Sequence, residues 1–194
     1  MLFFNKKFRY TIPVLTGALI IILISSIPKL ESAVTRDSGR NSTTEALKWY
    51  GFNAGMALAA KEKKLILIDV FTDWCHWCEV MDKETYAKET VIDYINKNYV
   101  AIKLDAESED KIRYKGKEVS MKEWSLNMGI TGFPTTLFME SDGTPVTLLP
   151  GYAPADLFSD ILEYIVAYPS VKAIEKGEEF LEWQKKKETD TRKK

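Results

Sequence analysis

The residues best suited to covalent chemistry are Cys75 and Cys78, the only two cysteines of the chain, set as Cys75-His76-Trp77-Cys78. A thiolate attacks a disulfide sulfur, forms a mixed disulfide, and is released when a second thiol displaces it. That chemistry needs two sulfurs within reach of each other. Cysteines at this spacing on a helix lie about one turn apart, close enough to close a small ring. The same spacing serves zinc sites, but zinc or copper needs further ligands. His76 is the only histidine, and there is no second cysteine pair. A c-type haem attachment is excluded because Glu79, not histidine, follows Cys78. A disulfide within one helical turn constrains very little chain, so the pair is better suited to reaction than to stapling.

A strand running into a helix must position these sulfurs. Leu65-Ile-Leu-Ile-Asp-Val-Phe71 is apolar apart from Asp69, the pattern of a strand buried on both faces. Glu79 to Lys88 are good helix formers, with Val80 and Met81 able to face inward. Cys75 then sits at a helix N-terminus, where unpaired N–H groups and the helix dipole stabilise a thiolate. Asp69 sits in the apolar strand, where burial disfavours its charge and raises its pKa.

The rest of the chain frames this unit. Lys48 to Tyr50 predicts a short first strand, and Asn53 an N-cap for a helix ending near Lys64. Thr90 is the expected cap of a helical piece carrying Val91, Ile92 and Ile95 on one face. Tyr99 to Leu104 is a second buried strand, and the strand–helix–strand order implies a parallel pair. Tyr114 to Lys117 predicts a surface hairpin inside the charged stretch 107–119. Ser120 and Glu123 have capping-box spacing for a helix ending at Gly129. Thr135 to Glu140 and Pro145 to Leu149 flank a hairpin turn at Ser141 to Gly143. Pro154 fits the first turn of a helix through Leu157, Ile161, Leu162 and Ile165, interrupted at Pro169. Residues 169–194 predict a charged helical tail with a Lys-rich end.

The chain is 45% hydrophobic, enough for a core, and its net charge of -1 excludes a general nucleic-acid binder. Lys6, Lys7 and Arg9 precede an uncharged stretch, Tyr10 to Pro28, that contains Ile20 to Ile24. A basic flank before an apolar core predicts an export signal, with everything after Pro28 delivered across the membrane. Glu31-Ser32-Ala33 is a poor cleavage site, which favours an uncleaved anchor through residues 10–28. Residues 1–28 are thus a signal-anchor or signal peptide, 29–42 a polar linker, and 43–168 the main domain.

In this order the motifs resemble the thioredoxin superfamily. Asp69, six residues before Cys75, matches its buried acid, Trp74 the tryptophan before its first cysteine, and Lys103 the lysine that pairs with that acid. Gly129-Ile-Thr-Gly-Phe-Pro134-Thr135 is similar to its cis-proline loop, and Gly151 matches a late glycine. The resemblance covers roughly residues 45 to 168. His76-Trp77 replaces the Gly-Pro of ordinary thioredoxins between the cysteines.

The resemblance implies an α/β thioredoxin fold, a central mixed sheet flanked by helices, with no cofactor. It gives Cys75 the attacking role and Cys78 the resolving role, with Asp69 exchanging a proton with Cys78 and Lys103 tuning it. It makes Pro134 cis, with the Phe133 backbone open to an extended partner segment that pairs as an added strand. Trp74, His76, Trp77, Phe133, Pro134 and Thr135 would then border the partner. The expected activity is a thiol–disulfide oxidoreductase on the periplasmic side of a bacterial envelope. It would reduce disulfides of exported proteins and be recharged by a thiol donor or a membrane electron carrier. A disulfide oxidase or isomerase, or a metal-handling or partner-binding module of the same fold, are the alternatives.

Overall fold

The computed structural model describes residues 46–168 and 177–192. The export segment 1–28, the linker 29–42, Pro169 and the last two lysines lie outside the described residues. The elements run β1 (Trp49–Tyr50), α1 (Phe52–Glu62), β2 (Leu65–Phe71), α2 (His76–Met81), a π-helical turn (Asp82–Tyr86) and α3 (Glu89–Asn98). Then come β3 (Tyr99–Asp105), β4 (Lys111–Tyr114), β5 (Lys117–Ser120), α4 (Met121–Asn127), β6 (Thr135–Met139), β7 (Pro145–Pro150), α5 (Ala155–Ala167) and α6 (Gly177–Thr191).

Five strands form one mixed sheet in the order β1-β3-β2-β6-β7, and β4 and β5 form a separate hairpin. The expected parallel pair is β2 with β3, while β6 and β7 add antiparallel strands. Strand side chains alternate between faces. On β2, Ile66, Ile68 and Val70 join Phe52, Ile102, Leu104 and Trp124 on one face of the sheet. Leu67 joins Met81, Ile95, Phe138, Phe158 and Leu162 on the other. Asp69 shares the face of Leu67, so it is buried for the same reason its neighbours are.

Most predicted elements stand where the periodicity put them, including the hairpin at Tyr114 to Lys117 and the tail helix. Ser120 caps α4 by accepting the Glu123 N–H at 3.1 Å. Three caps differ. Gly51, not Asn53, is the N-cap of α1, because Phe52 is already a buried helical anchor. Asn53 instead accepts the Arg113 N–H at 2.9 Å and ties α1 to the β4–β5 hairpin. Lys88, not Thr90, caps α3: the π-helical turn runs to Tyr86, and the Lys88 carbonyl accepts the first bond of the new helix, from Ile92 N at 2.9 Å. Pro154 stands one place earlier than expected, as the extended N-cap of α5.

Candidate active site

The two sulfurs are joined in a disulfide across a Cα–Cα distance of 5.3 Å. The chain leaves β2 through a turn in which Cys75 N–H donates to Thr72 O at 3.1 Å. Cys75 is the N-cap of α2, and its Sγ accepts the Cys78 N–H at 3.1 Å. The same amide also donates to Cys75 O at 3.1 Å, so the first sulfur shares an N–H at the helix start with its own carbonyl. In the reduced state the same amide would donate to a thiolate, a charge-assisted bond. Cys75 and Cys78 are 5% and 6% exposed, beneath exposed His76 and Trp77.

The strand that leads to Cys75 carries a charge pair with one buried member. On β2, Asp69 stands between Lys103 of β3 and Thr136 of β6 in the ladder. The Asp69 side chain is 3% exposed, and Lys103 Nζ lies 3.4 Å from its Oδ2. Its Oδ1 is buried with no hydrogen-bond partner. Burial pushes the Asp69 carboxyl up to about 6, the Lys103 charge opposing and the Asp82 charge adding to the rise. Such a group holds and releases a proton near neutrality.

Sequence reasoning missed Asp82. It lies in the π-helical turn, and both of its oxygens accept from Lys103 Nζ, at 2.5 and 2.6 Å. The sequence places Asp82 four residues after Cys78, but nothing in it marks this acid among the others. The same turn brings in Tyr86, whose hydroxyl lies 3.0 Å from Thr136 Oγ1. Burial, then the Asp69 charge, push the Tyr86 hydroxyl well up, so it stays protonated. The Lys103 ammonium also lies over the rings of Trp49 and Phe71, at 5.1 and 5.4 Å.

The third component is the loop before β6. The Phe133–Pro134 bond is cis, and Pro134 O accepts the Gly151 N–H at 2.8 Å. Gly151 has φ +84°, a conformation that favours glycine at this late position. Thr135 is buried and donates its hydroxyl to Gly132 O at 2.7 Å, so its side chain shapes the loop from within. Phe133 packs edge-on to Trp74 with centroids 5.9 Å apart. Trp74 and Trp77 remain 67% and 56% exposed, an apolar rim above the disulfide. Sequence reasoning also missed two supports of that rim. Trp74 Nε1 donates to Glu107 Oε2 at 3.0 Å. Tyr152 packs on Trp77 at 5.6 Å and donates its hydroxyl to Glu84 Oε2 at 3.0 Å.

A pair of sulfurs at a helix start, an acid able to move a proton and an apolar rim can together perform thiol–disulfide exchange. The comparisons agree with this arrangement. A stretch of an uncharacterized protein of Caenorhabditis elegans is 31% identical over 102 residues, covering 52% of this chain and 13% of that protein. This chain therefore spans a small part of that curated relative. Among solved structures, a DsbH oxidoreductase superposes with a TM-score of 0.52 at 15% identity, covering 64% of this chain and 87% of that one. A thioredoxin from Thermus thermophilus superposes with a TM-score of 0.52 at 18% identity, covering 63% of this chain and 88% of that one. Both show that the fold is that of thioredoxin. The family model described as "Thioredox_DsbH: Protein of unknown function, DUF255" matches residues 37–187. On that match, the chain belongs to the thioredoxin-like DsbH family, DUF255.

Proposed function

We propose that the protein is an exported thiol–disulfide oxidoreductase that reduces disulfides in other proteins of a bacterial envelope. The observation that carries the reading is the Cys75–Cys78 disulfide at the head of α2, with Cys75 Sγ as the helix cap. In the reduced enzyme the Cys75 thiolate attacks one sulfur of the partner disulfide, and the other partner sulfur leaves as a thiolate. Asp69 takes the proton of Cys78, and the Cys78 thiolate then attacks Cys75 Sγ. The Cys75–Cys78 disulfide forms, the second partner sulfur leaves, and two electrons have passed to the partner. An upstream thiol donor or a membrane electron carrier returns the pair to the dithiol.

The partner segment lies along the Phe133–Pro134 backbone, with Trp74, His76 and Trp77 above it. The membrane contact is made by residues 10–28, supported by the basic flank at Lys6, Lys7 and Arg9. Among the described residues no helix is long and apolar enough to cross a membrane. The test of direction is the reduction potential of the pair, measured by equilibration with glutathione and thiol alkylation. The buried acid and its lysine resemble the donor end of the superfamily, so the expected value lies below about −200 mV. A value near about −120 mV would replace the reductase by an oxidase.

A further inference from the structure

One ammonium serves two carboxylates in this site, and it serves them unequally. Lys103 Nζ contacts both oxygens of Asp82, at 2.5 and 2.6 Å, and a single oxygen of Asp69 at 3.4 Å. The Asp82 side chain is 41% exposed and that of Asp69 3%. Water therefore stabilises the Asp82 charge at little cost, whereas an Asp69 charge has to form in the core. The ammonium is held by the more exposed acid, through short charge-assisted bonds. An Asp69 charge formed afterwards meets a cation already matched by Asp82, and a second negative charge beyond it. The backbone fits this arrangement. The π-helical turn Asp82–Tyr86 follows directly on α2, and such turns insert an extra residue into the helical ladder, often at functional sites.

We propose that Asp82 is a positioning residue for proton transfer: by holding Lys103 on the solvent side it withholds that cation from Asp69 and keeps Asp69 able to carry the proton of Cys78. The inference rests on the proton-carrier role of Asp69 given above. Among the described residues, the charged and titratable groups that act on Asp69 are Lys103 from β3 and Asp82 and Tyr86 from the π-helical turn. From β6 the ladder partner is uncharged Thr136. Tyr86 stays protonated, so Lys103 and Asp82 are the pair that sets the balance.

Two readouts on the full-length chain test this. The first is the titration of the Asp69 carboxyl, followed by carbon NMR of labelled aspartate. The second is the pH dependence of mixed-disulfide resolution by Cys78. Asp82→Asn frees the ammonium for Asp69, so the carboxyl midpoint moves to lower pH by about one unit. Lys103→Met removes the cation, so the midpoint moves to higher pH. The rising limb of the resolution rate moves with it in each case. A role in packing alone would change the unfolding midpoint in both variants but would not send the carboxyl in opposite directions. Should D82N fold poorly, Asp82→Ser, which also lacks the carboxylate, is read in its place with the same expected shift.

An unmoved carboxyl midpoint in folded D82N overturns the proposal. So does a midpoint that moves while the rate limb stays in place. Asp69→Asn separates this from the reading beneath it: a limb that persists in D69N means that Asp69 carries no proton, whatever Asp82 does.

Discussion

Cys75 and Cys78 have separable roles, and single substitutions expose them. Cys75→Ser abolishes reduction of a model disulfide. Cys78→Ala still attacks but cannot resolve, so a mixed disulfide through Cys75 accumulates and is read by intact mass and peptide mapping; an adduct on the other sulfur, in the converse pair of variants, would reverse the roles. Asp69 makes a second prediction, about stability. Below about pH 4 its carboxyl is neutral in both the folded and the unfolded chain. Between the ordinary value of 3.8 and about 6 the unfolded chain has lost the proton and the folded one keeps it, so stability falls as pH rises. Above that range the whole difference, about 3 kcal/mol, acts against the fold. Asp69→Asn therefore flattens the slope between pH 4 and 6 and raises the denaturation midpoint at pH 7. A variant less stable than wild type at pH 7 would show that Lys103 depends on the Asp69 charge more than the charge costs. Cys75, Cys78, Asp69, Lys103 and the cis bond before Pro134 were all legible in the sequence, because each sits at a fixed offset in a shared pattern. Asp82 and Glu107 were not. Each is one acid among many in a charged chain, and only the fold shows which ones meet Lys103 and Trp74.

The hairpin of β4 and β5 answers a question that composition left open. Residues 107–119 are highly charged, yet Ile112 is buried and Tyr114 packs edge-on to Phe52 and Trp124. Tyr114 also donates its hydroxyl to Gly143 O at 3.0 Å. The stretch is thus a flap closed over one face of the core, and Ser120 begins the helix that anchors it. Ser120→Ala removes the bond to Glu123 N and should cost about 1 kcal/mol, measured as a shift in the denaturant midpoint with the slope unchanged. Strands and helices were read correctly where apolar periodicity was strong, as in β2 and β3. The caps failed where periodicity says nothing. Asn53 has the right chemistry for a cap but is needed by Arg113, and Thr90 is displaced from that role by the extra residue of a π-helical turn.

The export proposed for this chain has a direct test. With Lys6, Lys7 and Arg9 retained inside, a reporter fused after Lys194 is active only outside the cytoplasm. Intact mass of the mature protein distinguishes an anchor from a cleaved signal, and an N-terminus near Val34 would establish cleavage. The fold does not depend on its one disulfide for cohesion, because the ring joins residues only three apart. Oxidised and reduced forms can therefore be unfolded separately, and together they close a thermodynamic cycle. The difference between their unfolding free energies equals the difference in potential between the native pair and the same cysteines in the unfolded chain, about 1.4 kcal/mol for every 30 mV. A fold that favours the disulfide melts higher when oxidised, and one that favours the dithiol melts higher when reduced. Two calorimetric scans, with no redox buffer present, give which of the two redox states this fold holds more tightly.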